Sequence, residues 1–188
     1  MPDPLWIDMA TKYEEIYRST PHALGDANED VAAFFGGQGP GLTVLDIGCG
    51  QGRDALALGR AGHAVHGIDL APSGIAQMVS EAERDGLTVT GEVADVVTYR
   101  PDRKVDVLLI DRTLHMLPSE EVRIRVLSTL IRAVRPGGWL LLLDEPSNMA
   151  AFERVLVEQS PPWTIDFRGT RGDRNRPVTG RLFARHPV

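Results

Sequence analysis

Five short runs of apolar residues follow one another along the middle of this 188-residue chain, and each ends at or just before an aspartate. Between the runs, apolar residues recur every three or four positions, which is typical of amphipathic helices. Short buried strands that alternate with helices predict a mostly parallel sheet flanked by helices. The carboxyl ends of parallel strands share one edge of the sheet, where ligands bind. The aspartates expected at that edge are Asp46, Asp69, Asp95, Asp111 and Asp144.

The same periodicity, with the positions of glycine, proline and capping residues, gives the expected elements. The predicted strands are Leu42–Ile47, Ala64–Ile68, Thr88–Val93, Val105–Ile110, Trp139–Leu143, Trp163–Phe167 and Thr179–Arg185. The predicted helices are Leu5–Arg18, Ala27–Phe35, Arg53–Ala61, Pro72–Asp85, a helix capped by Ser119 that stops at a turn over Arg135–Gly138, and Asn148–Gln159. We expect one domain over residues 1–188, with a helical N-terminal segment (residues 1–40) before a core of residues 41–188.

Composition excludes several other classes of protein. Apolar residues make up 43% of the chain and charged residues 24%, with a net charge of −6, which is typical of a globular domain and argues against a nucleic-acid partner. A lone cysteine, Cys49, leaves no disulfide framework and favours a cytoplasmic location. Neither a membrane-spanning run nor a signal peptide is expected. The charge is uneven, because residues 160–188 carry six arginines and only two acids.

A glycine-rich loop follows the first predicted strand and reads Asp46-Ile47-Gly48-Cys49-Gly50-Gln51-Gly52. Its spacing differs from the G-x-G-x-x-G of dinucleotide-binding folds, in which a pyrophosphate lies on the helix N-terminus. The aspartate at the start of the loop disfavours a phosphate and favours an ammonium or sulfonium group. Asp69, at the end of the second strand, is placed to accept hydrogen bonds from a ribose diol. Asp95, after the third strand, could accept one from an adenine amino group.

These motifs resemble those of the class I S-adenosylmethionine-dependent methyltransferases. The motifs that carry the resemblance are VLDIGCGQGRD (Val44–Asp54), HGIDLAPSGI (His66–Ile75), EVADV (Glu92–Val96), VDVLLID (Val105–Asp111) and RPGGWLLLLDEP (Arg135–Pro146). The resemblance implies a three-layer, Rossmann-like α/β fold. Its sheet would have about seven strands, mostly parallel with an antiparallel last strand, and helices on both faces.

The resemblance also implies a role for each part of the site. Residues 48–50 would pass under the methionine part of S-adenosylmethionine, with Asp46 near its amino group. Asp69 would bind the ribose, Asp95 the adenine, and the segment Asp111–Thr113 would lie beside the sulfonium. The implied cofactor-binding set is Asp46, Gly48, Cys49, Gly50, Asp69, Leu70, Asp95, Val96, Asp111 and Arg112. S-adenosylhomocysteine would be the product of the reaction. Cys49 is expected to be a small buried loop residue rather than a nucleophile.

Within that class, the length and the loop look like the tellurite-resistance and thiopurine group, which methylates small, soft nucleophiles. In that group an N-terminal segment with Trp and Tyr folds over the cofactor, and Trp6, Tyr13 and Tyr17 are the residues expected to do so here. Their spacings of seven and four place them on one helix face, which core packing alone would also produce.

The acceptor side of the site is less constrained by the sequence. A polar loop over Arg168–Pro177 is expected beside the cofactor. Four arginines of this loop could hold an anionic acceptor, unless they only form ion pairs: Arg168, Arg171, Arg174 and Arg176. In the tellurite-resistance group a His-Arg dipeptide occupies the position of Phe167-Arg168 in this chain, so the histidine of that group is missing here. His115 is the histidine placed to act as a general base for an oxygen or amine acceptor. These three residues, His115, Arg168 and Arg174, are the catalytic candidates.

Two other functions stay open at this point. Catechol-type O-methyltransferases hold magnesium with acids at the ends of the strands that here end at Asp111 and Asp144. Their third ligand is an asparagine, which Glu145 replaces here, so no metal site is expected. The other alternative is a non-catalytic module that only binds S-adenosylmethionine. The expected partner is a small-molecule acceptor, with neither nucleic acid nor membrane, and the chain is expected as a monomer or homodimer.

Overall fold

The computed structural model describes the backbone of residues 4–173 and 176–188, and the side chains of residues 11–172 and 178–188. Its helices are α1 (Pro4–Ser19), α2 (Glu29–Gly36), α3 (Arg53–Arg60), α4 (Pro72–Arg84), α5 (Glu120–Leu130) and α6 (Met149–Val157). Its strands are β1 (Thr43–Ile47), β2 (Ala64–Asp69), β3 (Val89–Val93), β4 (Val105–Asp111), β5 (Val134–Asp144), β6 (Thr164–Asp173) and β7 (Arg176–Arg185).

The described strands form a seven-stranded sheet in the order β3-β2-β1-β4-β5-β7-β6. β2 pairs in parallel with β1 and β3, and β4 pairs in parallel with β5. β7 is antiparallel to both of its neighbours, β5 and β6. The expected Rossmann-like α/β class, with its mostly parallel sheet and antiparallel last strand, is therefore confirmed. None of the described helices is long and apolar enough to cross a membrane.

By its internal contacts the chain forms two compact units, of which the first ends at Tyr99. In this first unit, β1 to β3 pack against α3 and α4 around Ile47, Ile68 and Met78, which are almost fully buried. Local signals fix the helix starts, since the Asn28 side chain caps α2 and Pro72 opens the first turn of α4. The parallel register brings the carboxyl ends of the three strands to one edge.

The second unit begins at Arg100 and contains β4 to β7 with α5 and α6. Its core is a leucine-rich layer in which Leu108, Leu109 and residues 140–143 are completely buried. Ser119 caps α5, as predicted, by accepting a hydrogen bond from the Val122 amide. Burial on both faces explains why β4 and β5 read as continuous apolar runs.

Two expected loops are wrong. The turn predicted over Arg135–Gly138 lies within β5, where an irregularity in the pairing with β4 accommodates the extra residues. The Gly138 carbonyl accepts a hydrogen bond from the His186 amide, so this stretch is paired rather than free. The loop predicted over Arg168–Pro177 is mostly strand, because β6 continues to Asp173 and β7 begins at Arg176. Backbone pairing between β6 and β7 overrides the turn propensity of its glycines and polar residues.

Candidate functional site

The loop after β1 is built from glycines in the left-handed region. Gly48, Gly50 and Gly52 have φ values of 74°, 55° and 81°. The amides of Gly48 and Cys49 both donate to the Ile68 carbonyl, at 2.8 and 3.1 Å, which ties the loop to the end of β2. A Cβ atom at Gly50 would lie 2.5 Å from the Tyr17 hydroxyl oxygen, so no side chain fits there. Glycine is therefore required at position 50, because the Tyr17 side chain packs directly against the loop.

Asp69 joins the end of β2 to this loop. Its Oδ2 accepts a hydrogen bond from the Gly50 amide at 2.9 Å, and its Oδ1 accepts one from the Ala71 amide at 2.8 Å. Burial raises the pKa of Asp69, while the amide hydrogen bonds, including one from Leu70, partly offset that rise. A carboxylate has about four lone-pair sites, so three amide hydrogen bonds leave Asp69 one site for a ribose hydroxyl.

Asp46 and Cys49 lie on either side of Gly48, and both are buried, with 4% and 5% of their surface exposed. Burial, followed by the charges of Asp46 and Asp69, raises the pKa of the Cys49 thiol. A thiol that stays protonated is a poor nucleophile, which agrees with the expectation that Cys49 is a packing residue. Its Sγ would lie 2.6 Å from a Cβ atom at position 67, so glycine is required there.

Asp95 shapes the turn that follows β3. Its Oδ1 accepts the Val97 amide at 2.9 Å, and its carbonyl accepts the Tyr99 amide at 2.8 Å. The Ala94 amide donates to the Asp69 carbonyl at 2.9 Å, which aligns this turn with the end of β2. Val96 is buried. The first unit therefore assembles Asp46, Asp69, Asp95 and the glycine loop around the carboxyl ends of its three strands.

The C-terminal half of α1 and the following turn (residues 11–23), here called the N-terminal strap, are fastened to this unit. Tyr17 is 4% exposed, and its ring also lies against Gly74, where a Cβ would come within 2.9 Å of it. Burial, followed by the charge of Asp69, raises the pKa of Tyr17. The ring centroids of Tyr13 and Tyr17 are 5.7 Å apart, so the predicted shared face exists. The side chain of Trp6 lies outside the described residues.

Hydrogen bonds that sequence reasoning missed hold the strap in place. The Gln51 amide nitrogen donates to the Thr20 carbonyl and to Gln77 Oε1, both at 2.8 Å, and the Gln77 nitrogen donates to the Tyr17 carbonyl at 2.7 Å. The Glu14 carboxylate accepts the Ser73 amide at 2.9 Å near the start of α4. These partners lie far apart in the sequence, so no spacing pattern indicates them.

In the second unit, Asp144 at the end of β5 is completely buried. Its Oδ2 accepts the His115 amide at 3.0 Å, and its Oδ1 accepts the Glu145 amide and the Asn148 side chain, both at 2.8 Å. The His115 ring nitrogen Nδ1 lies 3.7 Å from Oδ2. Burial raises the pKa of Asp144, but the contacts with His115, Asn148 and Glu145 outweigh burial and hold it below its usual value. Asn148 is a further residue that sequence reasoning missed.

Arg112 follows directly on β4 and has an unusual backbone. Its φ is +53°, a left-handed conformation that non-glycine residues rarely adopt. Its amide donates to the Leu143 carbonyl at 2.8 Å, which continues the pairing of β4 with β5. Its Nη1 atom is buried and has no hydrogen-bond partner among the described residues. The neighbouring Thr113 is buried, and its hydroxyl donates to the Asp111 carbonyl at 3.3 Å.

Of the two arginines predicted to be catalytic, the structure describes the side chain of Arg168. Arg168 lies in β6 opposite Leu182, with 67% of its side chain exposed, and forms a 2.9 Å ion pair with Glu153 on α6. The ion-pairing alternative therefore describes what Arg168 does in this structure. Arg174 lies outside the described residues.

S-adenosylmethionine fits the residues of the first unit. Asp69 keeps a lone-pair site for a ribose hydroxyl, and the buried Asp46 supplies negative charge for an ammonium group. Among the described residues, no group of three His, Cys, Asp or Glu side chains is arranged to hold a metal ion.

Fold and loop together define a class I S-adenosylmethionine-dependent methyltransferase, as the resemblance implied. The chain belongs to the methyltransferase domain family, which matches residues 44–138. It is 27% identical over 173 residues to a ubiquinone biosynthesis O-methyltransferase of Maricaulis maris, covering 88% of this chain and 66% of that protein. It is 31% identical over 167 residues to the 2-heptyl-1-hydroxyquinolin-4(1H)-one methyltransferase of Mycobacteroides abscessus, covering 81% and 72%. The chain thus spans about two thirds of the length of these curated relatives.

Solved structures support the fold. The N-methyltransferase NodS from Bradyrhizobium japonicum, in complex with S-adenosylhomocysteine, is similar with a TM-score of 0.78 and 15% identity, covering 95% of this chain and 98% of that one. TehB from Haemophilus influenzae is similar with a TM-score of 0.71 and 18% identity, covering 92% and 67%. At these identities the likeness concerns the fold alone. The expected family and its cofactor are confirmed, whereas the smaller group within the family stays a prediction.

Proposed function

We propose that this chain transfers a methyl group from S-adenosylmethionine to a hydroxyl oxygen of a small-molecule acceptor, with His115 as the general base. The observation that carries the proposal is the surroundings of Asp144. This fully buried carboxylate accepts the His115 amide and lies 3.7 Å from its ring. A carboxylate fixed beside an imidazole is the arrangement that orients the ring and stabilises its protonated form.

The first unit would hold the cofactor, and the whole chain would act as the single domain expected from the sequence. Asp69 would accept a ribose hydroxyl, Asp95 and Val96 would bind the adenine, and Asp46 would face the ammonium group. The glycine loop would lie under the methionine part. When bound, the cofactor supplies a methyl carbon that its sulfonium already activates, so the chain needs mainly to position and desolvate the acceptor.

On the acceptor side, His115 would take the proton of the hydroxyl group. A hydroxyl oxygen needs this help because its neutral form is a weak nucleophile, whereas a thiolate or selenide does not. Asp144 would act as a positioning residue that stabilises the imidazolium. Both curated relatives described above support an oxygen acceptor, since one is named an O-methyltransferase and the other a methyltransferase of a 1-hydroxyquinolone.

The hydrogen bonds of Asp144 also bear on the magnesium alternative. Its two oxygens already accept hydrogen bonds from two amides and from Asn148, which favours a structural carboxylate over a metal ligand. We therefore propose metal-independent transfer, for which a chelator should leave the activity unchanged.

The proposal is tested by comparing His115→Gln with the unsubstituted protein on a panel of phenols, 1-hydroxyquinolones, catechols and thiols. For hydroxyl acceptors we expect kcat to fall by about 10²- to 10⁴-fold at neutral pH, because general-base catalysis typically contributes that much. The binding of S-adenosylhomocysteine, measured by calorimetry, should not change. His66→Gln is the matched control, since His66 is a half-exposed histidine in β2 that contacts Thr90 and Glu92.

Three outcomes would contradict the proposal, each in a different part. If neither S-adenosylmethionine nor S-adenosylhomocysteine binds, the enzyme assignment fails. Methylation confined to thiols would show a soft-nucleophile methyltransferase. Full activity of His115→Gln on hydroxyl acceptors would remove His115 as the base.

A further inference from the structure

We propose that Arg112, which the resemblance implied to be a cofactor-binding residue, instead binds the acceptor oxygen as an oxyanion, so that the acceptors of this enzyme are acidic hydroxyl compounds such as phenols, enols and N-hydroxy heterocycles. This inference rests on the proposed methyl transfer to oxygen, and it assigns the acceptor class that the proposed function leaves open.

The first observation is the backbone of Arg112. Among the described residues, only Arg112 and His22 combine a side chain with a positive φ. The left-handed conformation is unfavourable for an L residue, because Cβ approaches the following carbonyl oxygen. The Arg112 amide is hydrogen-bonded to Leu143, so the strained residue is fixed to the end of β5 rather than to a loose loop. A strained residue held this firmly at the carboxyl ends of parallel strands points to a role in ligand binding.

The second observation is the guanidinium group. Its Nη1 is buried without a hydrogen-bond partner among the described residues, which is unfavourable for a charged donor. Strain and an unused charged donor therefore coincide at one residue.

The chemistry of a guanidinium selects the ligand. It is planar, permanently charged and only a donor, so it binds oxyanions through strong, charge-assisted hydrogen bonds. A guanidinium beside the hydroxyl stabilises its deprotonated form, so His115 can take the proton first; the methyl transfer then neutralises the oxyanion and the sulfonium together. A neutral amine or thioether acceptor offers no comparable charge.

Arg123 shows what a structural arginine looks like in the same unit. Its Nε is also buried without a hydrogen-bond partner, but its Nη1 donates to the Leu117 carbonyl at 2.9 Å. Its backbone is regular helix within α5. Arg123 is therefore a matched control that shares the burial of Arg112 but neither its strain nor its wholly unused Nη1.

The test measures ligand binding rather than turnover. With S-adenosylhomocysteine at saturation, the protein is titrated with 4-nitrophenol, 4-nitrocatechol and a 1-hydroxyquinolone, and the absorbance reports the protonation state of each bound probe. We expect at least one probe to bind preferentially as its oxyanion. Arg112→Gly should weaken that binding at least about tenfold, whereas Arg123→Gln should not. Because glycine relieves the positive φ, Arg112→Gly should melt no lower than the unsubstituted protein.

Two results would overturn the inference. One is that both Arg112→Gly and Arg112→Asn bind the oxyanions as tightly as the unsubstituted protein. Asparagine is chosen for the second variant because it tolerates the left-handed conformation. The other is that no probe binds as its oxyanion although S-adenosylhomocysteine does bind. Loss of S-adenosylhomocysteine binding in the unsubstituted protein would instead contradict the proposed function itself.

Discussion

Asp69 illustrates how one residue links the fold to the cofactor. Its carboxylate closes the glycine loop through Gly50 and starts the turn into α4 through Ala71, yet it keeps a lone-pair site for a ligand. Burial raises the pKa of Asp69 in the folded protein above its value in the unfolded chain. In the unliganded protein, the contribution of Asp69 to the free energy of unfolding is therefore fully present below the unfolded pKa. That contribution is lost as the pH rises through the folded pKa. In the proposed complex the ionised form of Asp69 accepts a ribose hydroxyl, so the affinity for the cofactor should rise with pH where the stability contribution falls.

We therefore predict that S-adenosylhomocysteine affinity falls as pH decreases through the raised pKa of Asp69, at a higher pH than an ordinary aspartate would cause. Calorimetry in buffers of different ionisation enthalpy should show a proton released on binding in that range. Asp69→Asn should weaken binding by about 10- to 100-fold, because it removes a charged acceptor, and should abolish the proton release. Asp102→Asn, at an exposed position, is the control. An unchanged proton release in Asp69→Asn would contradict this assignment.

The residues that sequence reasoning identified in this site are those whose roles follow from position. Asp46, Asp69 and Asp95 were predictable because each ends or follows an apolar run, and the glycine loop because its spacing is distinctive. Gln51, Gln77 and Asn148 were not, because an amide side chain is as common on a solvated surface as in a hydrogen-bonded network. The positive φ of Arg112 could not be predicted from the sequence, because it depends on the hydrogen bond that ties the end of β4 to β5.

Among the elements, the buried strands were predicted well and the hairpin was not. β1 and β4 are short, mostly apolar and largely buried, which favours strands over surface helices. The hairpin of β6 and β7 carries glycines and arginines that read as a loop. Gly172 is explained by close packing, since a Cβ there would lie 3.0 Å from the Val178 Cα. Such cross-strand proximity is a tertiary effect that local propensity cannot encode.

The N-terminal strap gives a prediction at the same scale. Gln77→Ala removes the hydrogen bonds to the Tyr17 carbonyl and to Gln51, so the strap should detach more often. We expect faster amide exchange in residues 11–23 and faster dissociation of S-adenosylhomocysteine, by about 3- to 10-fold for the loss of two neutral hydrogen bonds. Ser80→Ala, on the same helix, serves as the control. Unchanged exchange in the strap would show that these amides do not hold it.

At the scale of the whole molecule, the acidic and the basic residues found in the sequence have different structural roles. In the first unit, Asp46 and Asp69 lie at the glycine loop. In the second unit three of the described arginines of the hairpin are engaged locally: Arg168 pairs with Glu153, Arg181 stacks on Phe167, and Arg185 lies 4.4 Å from the centroid of the Trp139 ring. The basic C-terminal segment is thus largely a property of the hairpin surface.

If the first unit binds the cofactor and the second unit binds the acceptor, each ligand should slow amide exchange in different segments of the chain. S-adenosylhomocysteine should protect the segments that its expected binding residues occupy in the first unit, residues 46–54, 69–72 and 93–97. An aryl oxyanion such as 4-nitrophenolate should add protection at residues 111–117 in the second unit, because Arg112 and His115 lie there. Asp69→Asn at the same ligand concentration should lose the first pattern, and Arg112→Gly should lose only the second. Protection confined to the hairpin, residues 164–185, would instead place acceptor binding on its arginines and return Arg168 to the acceptor site.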